Sequence, residues 1–298
     1  MYKQIDSNKR KTVFLIMLFI AFILLIGYVF AQIYPQYGYA PMVIAVVIAM
    51  AMSLSSYYSG DKVALVASGA KGPLEQSDNP YVYRMVENLC ITAGIPMPKI
   101  YIIPDSAMNA FATGRDPEHA SIALTEGIIK GLENEELEGV IAHELSHIKN
   151  YDIRIMMVVI VLVGIIALLA DFLIRIQWIS GGRRDNKGGG NLGVILMVAG
   201  LVLAVLSPLI AELIKLAVSR KREFLADASG SLLTRYPEGL ASALEKISSS
   251  APIKRASNAT AHLYIANPFG AKAKKGLKKI FSTHPPVEER IKALRDMA

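Results

Sequence analysis

The sequence predicts an α+β fold: a small sheet packed on one H-E-x-x-H helix, joined to about four transmembrane helices in two hairpins. Three observations predict it. The pentapeptide His143-Glu144-Leu145-Ser146-His147 lies in an apolar run, after Gly139-Val140-Ile141-Ala142 and before Ile148. Short β-prone runs precede it, and four long apolar stretches flank and interrupt the region. A chain of 298 residues, 53% hydrophobic, has room for one compact domain plus membrane segments.

The membrane elements come first in the chain. Residues 13–30 are unbroken by charge, and 39–58 are charge-free with tyrosine at both ends. A span needs about 20 apolar residues, so 1–60 reads as a tight hairpin. No small-residue cleavage site followed by a disulfide-rich chain marks the first stretch as a removable signal. The second pair, 155–179 and 192–216, contains Asp171, Arg175, Glu212 and Lys215. Lys3, Lys9, Arg10 and Lys11 precede the first stretch and residues 31–41 carry no basic side chain. The excess of basic residues on the inner side places the N-terminus in the cytoplasm and returns the chain there near Gly60. The turn at 180–190 carries Arg183, Arg184 and Lys187, against that rule. Two readings of 155–217 stay open: a full span, or a partly embedded hairpin.

Between the membrane pairs, 81–93 reads as a helix ended by Gly94 and Pro96. Residues 99–103 and 121–125 read as short strands, with 109–114 also extended. Peptide-binding proteins often add an extended partner to a sheet edge. The segment Asn109-Ala110-Phe111-Ala112 is a candidate edge; an internal strand with Phe111 in the core fits equally.

Asn134 is positioned to cap the next helix, with Glu135 and Glu136 at the positive end of its dipole. Leu137, Val140, Ile141, Leu145 and Ile148 recur at helical spacing. His143 and His147, at i and i+4, share one face, so both imidazoles reach one metal ion. Zn²⁺ takes nitrogen ligands and in catalytic sites keeps an open position for water, and Glu144 beside it suits proton abstraction. A solvated helix face fits poorly, because these residues sit among apolar ones.

A catalytic zinc has three protein ligands as a rule. Glu223 and Asp227, also i and i+4, lie after the second apolar pair. Glu223 is a candidate third ligand, and Asp227 a candidate acceptor for the free N–H of a ligating histidine. Taken alone, the segment reads as a solvated helix face. Removing 155–217 from the interval leaves the two helices close in sequence, which favours a shared site with an inserted hairpin. Near the C-terminus, His284 precedes Pro285 and Pro286 at the start of a helix. An oxyanion donor and a structural loop residue are both open there.

Together these pieces resemble the HtpX family of membrane zinc metalloproteases, related to the CAAX prenyl proteases, over nearly the whole chain. The resemblance rests on the N-terminal hairpin, Asn109-Ala110-Phe111-Ala112, the H-E-x-x-H helix, the inserted hairpin, Glu223-Phe224-Leu225-Ala226-Asp227 and Thr283-His284-Pro285-Pro286. It implies a gluzincin-type peptidase domain with one Zn²⁺ on His143, His147 and Glu223. It implies Glu144 as base, His284 near the oxyanion and Asn109 to Ala112 along the substrate. The domains are then 1–60, an N-terminal hairpin; 61–154 with 218–298, a cytoplasmic peptidase; and 155–217, an inserted hairpin. The implied role is hydrolysis of misfolded or damaged membrane proteins at the cytoplasmic face of the cell membrane, in quality control under stress.

The competing class is a non-catalytic membrane scaffold or chaperone-like binder on the same fold, which an incomplete ligand set would favour. Expected partners are polypeptides, membrane proteins among them, and the lipid bilayer. The +7 charge includes the run Lys272, Lys274, Lys275, Lys278 and Lys279; anionic headgroups or plain solvation account for it equally. No nucleic-acid motif accompanies it, and no pattern sets an oligomeric state. Cys90 is the only cysteine, which excludes an internal disulfide and agrees with a reducing compartment.

Overall fold

The computed structural model describes residues 2–33, 35–159, 220–256, 260–270 and 285–297. The expected second hairpin beyond residue 159, the lysine run 272–279 and His284 lie outside the described residues.

The first two helices, α1 (Tyr2–Ile33) and α2 (Ala40–Ser68), pack against each other across a short turn. Helix α1 extends beyond both ends of the apolar run 13–30. The two halves of α2, Met42–Met52 and Tyr57–Ser68, meet at 65°. Among the described residues no single helix is long and apolar enough to cross a membrane, whereas that bent pair together is. The described residues therefore do not confirm the expected count of spans. The fold does leave Val13, Phe14, Met17 and Leu25 on α1, and Val43, Ile44, Val47 and Leu54 on α2, more than half exposed. An outward apolar surface of this kind marks contact with lipid or another protein. Helix α2 continues past 60–61, where the sequence was divided, and ends at the left-handed Gly69 (φ 72°), whose N–H meets the carbonyls of Leu65 and Val66.

Helix α3 (Pro80–Ala93) starts where the Asn79 side chain accepts the Val82 N–H and stops at Gly94 (φ 65°). Three strands follow: β1 (Lys99–Ile103), β2 (Ala110–Gly114) and β3 (Ala120–Thr125). Their order is β1-β3-β2, with β3 parallel to β1 and antiparallel to β2. Strand β2 is thus an edge, yet every residue in it is buried. After α4 (Glu126–Gly131) comes α5 (Asn134–Lys149), which packs on β2, α3, α6 (Arg220–Thr234) and α7 (Pro237–Ser248). Helix α8 (Val287–Arg295) packs on α6 and α7. Leu137, Val140, Ile141, Leu145 and Ile148 of α5 share one core with Ile122 and Leu124 of β3 and with Leu240 and Leu244 of α7.

The start of α5 differs from expectation by one residue. Glu133, not Asn134, is the cap: its N–H donates to Glu136 Oε2 at 2.8 Å, closing a capping box. Asn134 is the first helical residue, and its Oδ1 accepts from the Tyr81 hydroxyl at 3.2 Å.

Candidate metal centre

From Gly139 to Ile148 every residue of helix α5 is buried, so His143, Glu144 and His147 are enclosed rather than solvated. What lets a second helix come close is Gly230 on α6. A Cβ there would lie 3.0 Å from the His143 nitrogen and 3.2 Å from the Ala142 carbonyl carbon. With that side chain absent, α6 lies on α5 and brings Glu223 and Asp227, one turn apart, over the histidines.

The result is a compact cluster. His143 Nε2 and His147 Nε2 are 3.1 Å apart. Glu223 Oε2 is 4.0 Å from the first and Oε1 3.6 Å from the second. One ligand atom from each residue lies within 4.8 Å of the others. Tetrahedral ligands at 2.0–2.1 Å from zinc stand about 3.3 Å apart, so the residues fit the ion without rearrangement of their elements.

The donor chemistry agrees. His143 Nδ1 faces Asp227 Oδ1 at 2.9 Å, and His147 Nδ1 faces Asp152 Oδ2 at 3.1 Å. A carboxylate beside Nδ1 makes that nitrogen the donor, which leaves both Nε2 lone pairs facing each other and Glu223. Three acceptors converging on one point suit a cation. The Asp227 oxygen is at bonding distance but out of line with the ring N–H, so His143 Nδ1 counts among buried polar atoms without a well-formed bond.

Burial sets the proton affinities, and charges then divide them. Burial lowers His143 to about 4 against the pull of Asp227. Burial also opposes protonation of His147, but Asp152 and Glu223 outweigh it and lift the ring to about 9. Burial raises Glu144 to about 7, opposed by His147 and the Ala112 N–H and reinforced by Glu223. A carboxyl poised near neutrality both takes and returns a proton.

Two supporting residues were not singled out from the sequence. Asp152 lies five residues after His147, and Tyr151, in the left-handed region (φ 60°), precedes it at the turn out of α5. Arg290 of α8 is fully buried and grips Asp227 with two bonds, Nε to Oδ2 at 2.9 Å and Nη2 to Oδ1 at 2.7 Å. It also donates to the Ile265 carbonyl at 2.9 Å and lies 3.6 Å from Glu223. Burial works to raise Asp227, but the Arg290 charge and bonds hold it at about 2. The only sequence signal for Arg290 was its place six residues after His284.

The four candidate substrate residues have different surroundings. Asn109 precedes β2, and its side-chain amide donates to the Ala266 carbonyl at 3.0 Å. The Ala110 carbonyl accepts from the Ile265 N–H at 3.0 Å, which covers the start of the β2 edge. Phe111 is buried edge-on to Tyr264, with centroids 5.2 Å apart. Ala112 is the position where the strand meets Glu144. Strand β2 is thus an edge of the sheet, with Phe111 packed in the core.

Comparison with known proteins places these features in a series. The pattern of Peptidase family M48 matches residues 76–298. A "Protease HtpX homolog" of Dictyoglomus turgidum is 47% identical over 99% of this chain and 94% of its own. One from Caldanaerobacter subterraneus is 42% identical over 100% and 98%, and one from Lactobacillus helveticus 41% over the full length of both. The crystal structure of S. mikatae Ste24p matches with a TM-score of 0.54 at 21% identity, covering 99% of this chain and 67% of that one. That likeness is one of fold.

Proposed function

The chain belongs to peptidase family M48, and from that premise we propose that it is an integral-membrane zinc endopeptidase cutting misfolded or damaged membrane proteins at the cytoplasmic face. The observation that carries the reading is the buried convergence of His143, His147 and Glu223 with Glu144 beside them. The names of the full-length relatives, each a protease HtpX homologue, and the outward apolar surface of α1 and α2 support it. The division into an N-terminal hairpin, a peptidase body and an inserted hairpin, with both termini cytoplasmic, belongs to the same proposal.

His143, His147 and Glu223 would hold the ion, whose chemistry is Lewis-acid polarisation of a carbonyl and acidification of water. Glu144 accepts a proton from the attacking water and later gives it to the leaving amine. Burial raises its proton affinity above that of a solvated carboxylate, which suits a group that takes and returns a proton. Asp227 and Asp152 orient the two imidazoles through Nδ1, and Arg290 holds Asp227 in place. In this proposal an extended polypeptide lies along β2 from Ala112 onward, beside Glu144. His284 donates to the developing oxyanion.

Metal analysis and peptide cleavage on the purified full chain in detergent test this. One zinc per chain is expected. Glu144→Gln should retain zinc and lower kcat by about 10²- to 10⁴-fold. Glu223→Ala should lose both zinc and cleavage. Full zinc occupancy with wild-type turnover in Glu223→Ala would overturn the assignment. A complete ligand set together with Glu144 is what favours the enzyme over a non-catalytic scaffold.

A further inference from the structure

We propose that Asn8, on the first apolar helix, is a positioning residue for His147, acting through Asp152, so that the metal centre is completed only when α1 is docked. The inference rests on the reading of the metal site above. Asn8 is a short neutral side chain next to Lys9 and Arg10, where a cytoplasmic helix end would ordinarily be solvated. Instead it is 1% exposed. Its amide nitrogen makes two bonds, both of 2.8 Å: one to the Asn150 carbonyl at the end of α5 and one to Asp152 Oδ1. The other oxygen of Asp152 faces His147 Nδ1 at 3.1 Å. An unbroken polar path therefore runs from the N-terminal helix to a metal ligand.

The geometry needs that path. The chain leaves α5 through Tyr151 at φ 60°, a conformation that L-residues other than Asn and Asp rarely adopt. The turn brings Asp152 back beneath the helix that carries His147. The Tyr151 ring lies under the Lys9 ammonium at 4.8 Å, so neighbouring residues of α1 hold neighbouring residues of the turn. The carbonyls at a helix C-terminus lack helical partners, and Asn8 satisfies one of them while fixing Asp152. Arg222 also approaches Asp152 Oδ1, at 3.5 Å, a longer contact than the Asn8 bond. Asn8 thus makes the shorter of these two contacts to Asp152 Oδ1. Groups that orient a ligating histidine commonly change metal affinity 10- to 100-fold when lost. One step further out, about 3- to 10-fold is expected.

The test is zinc affinity of the full chain in detergent, read by chelator competition, with the Co²⁺-substituted absorption spectrum as a second signature. Asn8→Leu removes both donors and should weaken Zn²⁺ binding about 3- to 10-fold and shift the Co²⁺ bands. Thr12→Val is the control. It removes a buried 2.9 Å bond one turn further along α1, from Thr12 Oγ1 to the Asn8 carbonyl, without touching Asp152, and should leave both readings as in the wild type. In an Asp152→Ala background, Asn8→Leu should add less than about twofold, because partners in one path are not additive. Should Asn8→Leu fail to fold, Asn8→Ser, which retains one donor, is read in the same cycle with a smaller loss expected. Wild-type affinity in the Asn8 variant, or an undiminished loss in the Asp152→Ala background, overturns the proposal. Absence of zinc binding in the wild-type chain would instead sink the metal-site reading on which it stands.

Discussion

His143 and His147 are one helical turn apart, yet they are supported from opposite ends of the chain. Behind His143 stands Asp227, held by two bonds from the buried Arg290 of the last helix. Behind His147 stands Asp152, held at 2.8 Å by the neutral amide of Asn8 on the first helix and, at 3.5 Å, by the buried Arg222 guanidinium. The first support is an ion pair closed within the peptidase body. The second reaches into the apolar hairpin and depends on how that hairpin docks. A charge pair is hard to disturb by halves, since removing one partner strands the other in a low-dielectric interior. A neutral donor is removed at smaller cost. The comparison therefore predicts a rigid side and an adjustable side to one metal centre.

The largest expected effect is on the rigid side. Arg290→Ala leaves Asp227 without the guanidinium that grips it and should cost about 3–5 kcal/mol of stability, measured by denaturant unfolding in detergent. Arg290→Lys should recover little, because an ammonium lacks the planar fork that meets both Asp227 oxygens. A variant as stable as the wild type would remove the contrast between the two supports.

The next effect sharpens the comparison. Asp227→Ala and Asp152→Ala should each weaken zinc binding roughly 10- to 100-fold while leaving the ligand set intact. Chelator competition on the two variants compares the supports directly. If Asp152→Ala bound zinc like the wild type, His147 would need no carboxylate and the centre would be supported from one side alone.

The smallest effect probes the approach of the helices on the His143 side. Gly230→Ala places a methyl against the His143 backbone, which cannot yield as a side chain would. Overpacking costs about 1–3 kcal/mol, offset by up to about 1 kcal/mol of helix propensity. A net loss of about 1–2 kcal/mol in the unfolding free energy is expected. A gain in stability would mean that α6 has room to move off α5.

The sequence by itself determined the features that depend on neighbours along the chain. The i,i+4 spacing put His143 and His147 on one helix face and Glu223 and Asp227 on another. Turn and cap residues delimited α3 at Gly94, and β-prone runs marked the three strands within a residue of their observed ends. Where two local signals competed, one residue was lost, as at Glu133 and Asn134. Only the tertiary structure decided which helix faces meet. Asp152 is near His147 in sequence, but whether it turns back depends on the left-handed Tyr151 and on Asn8, 144 residues away. Arg290 reaches Asp227 across 63 residues, through the packing of α8 on α6. Strand β2 is buried although it is a sheet edge because Tyr264 and Ile265 cover one part of it and α5 meets the other. Periodicity records what lies one turn or one pleat away, whereas these contacts come from elements brought together by burial, and no local pattern encodes them.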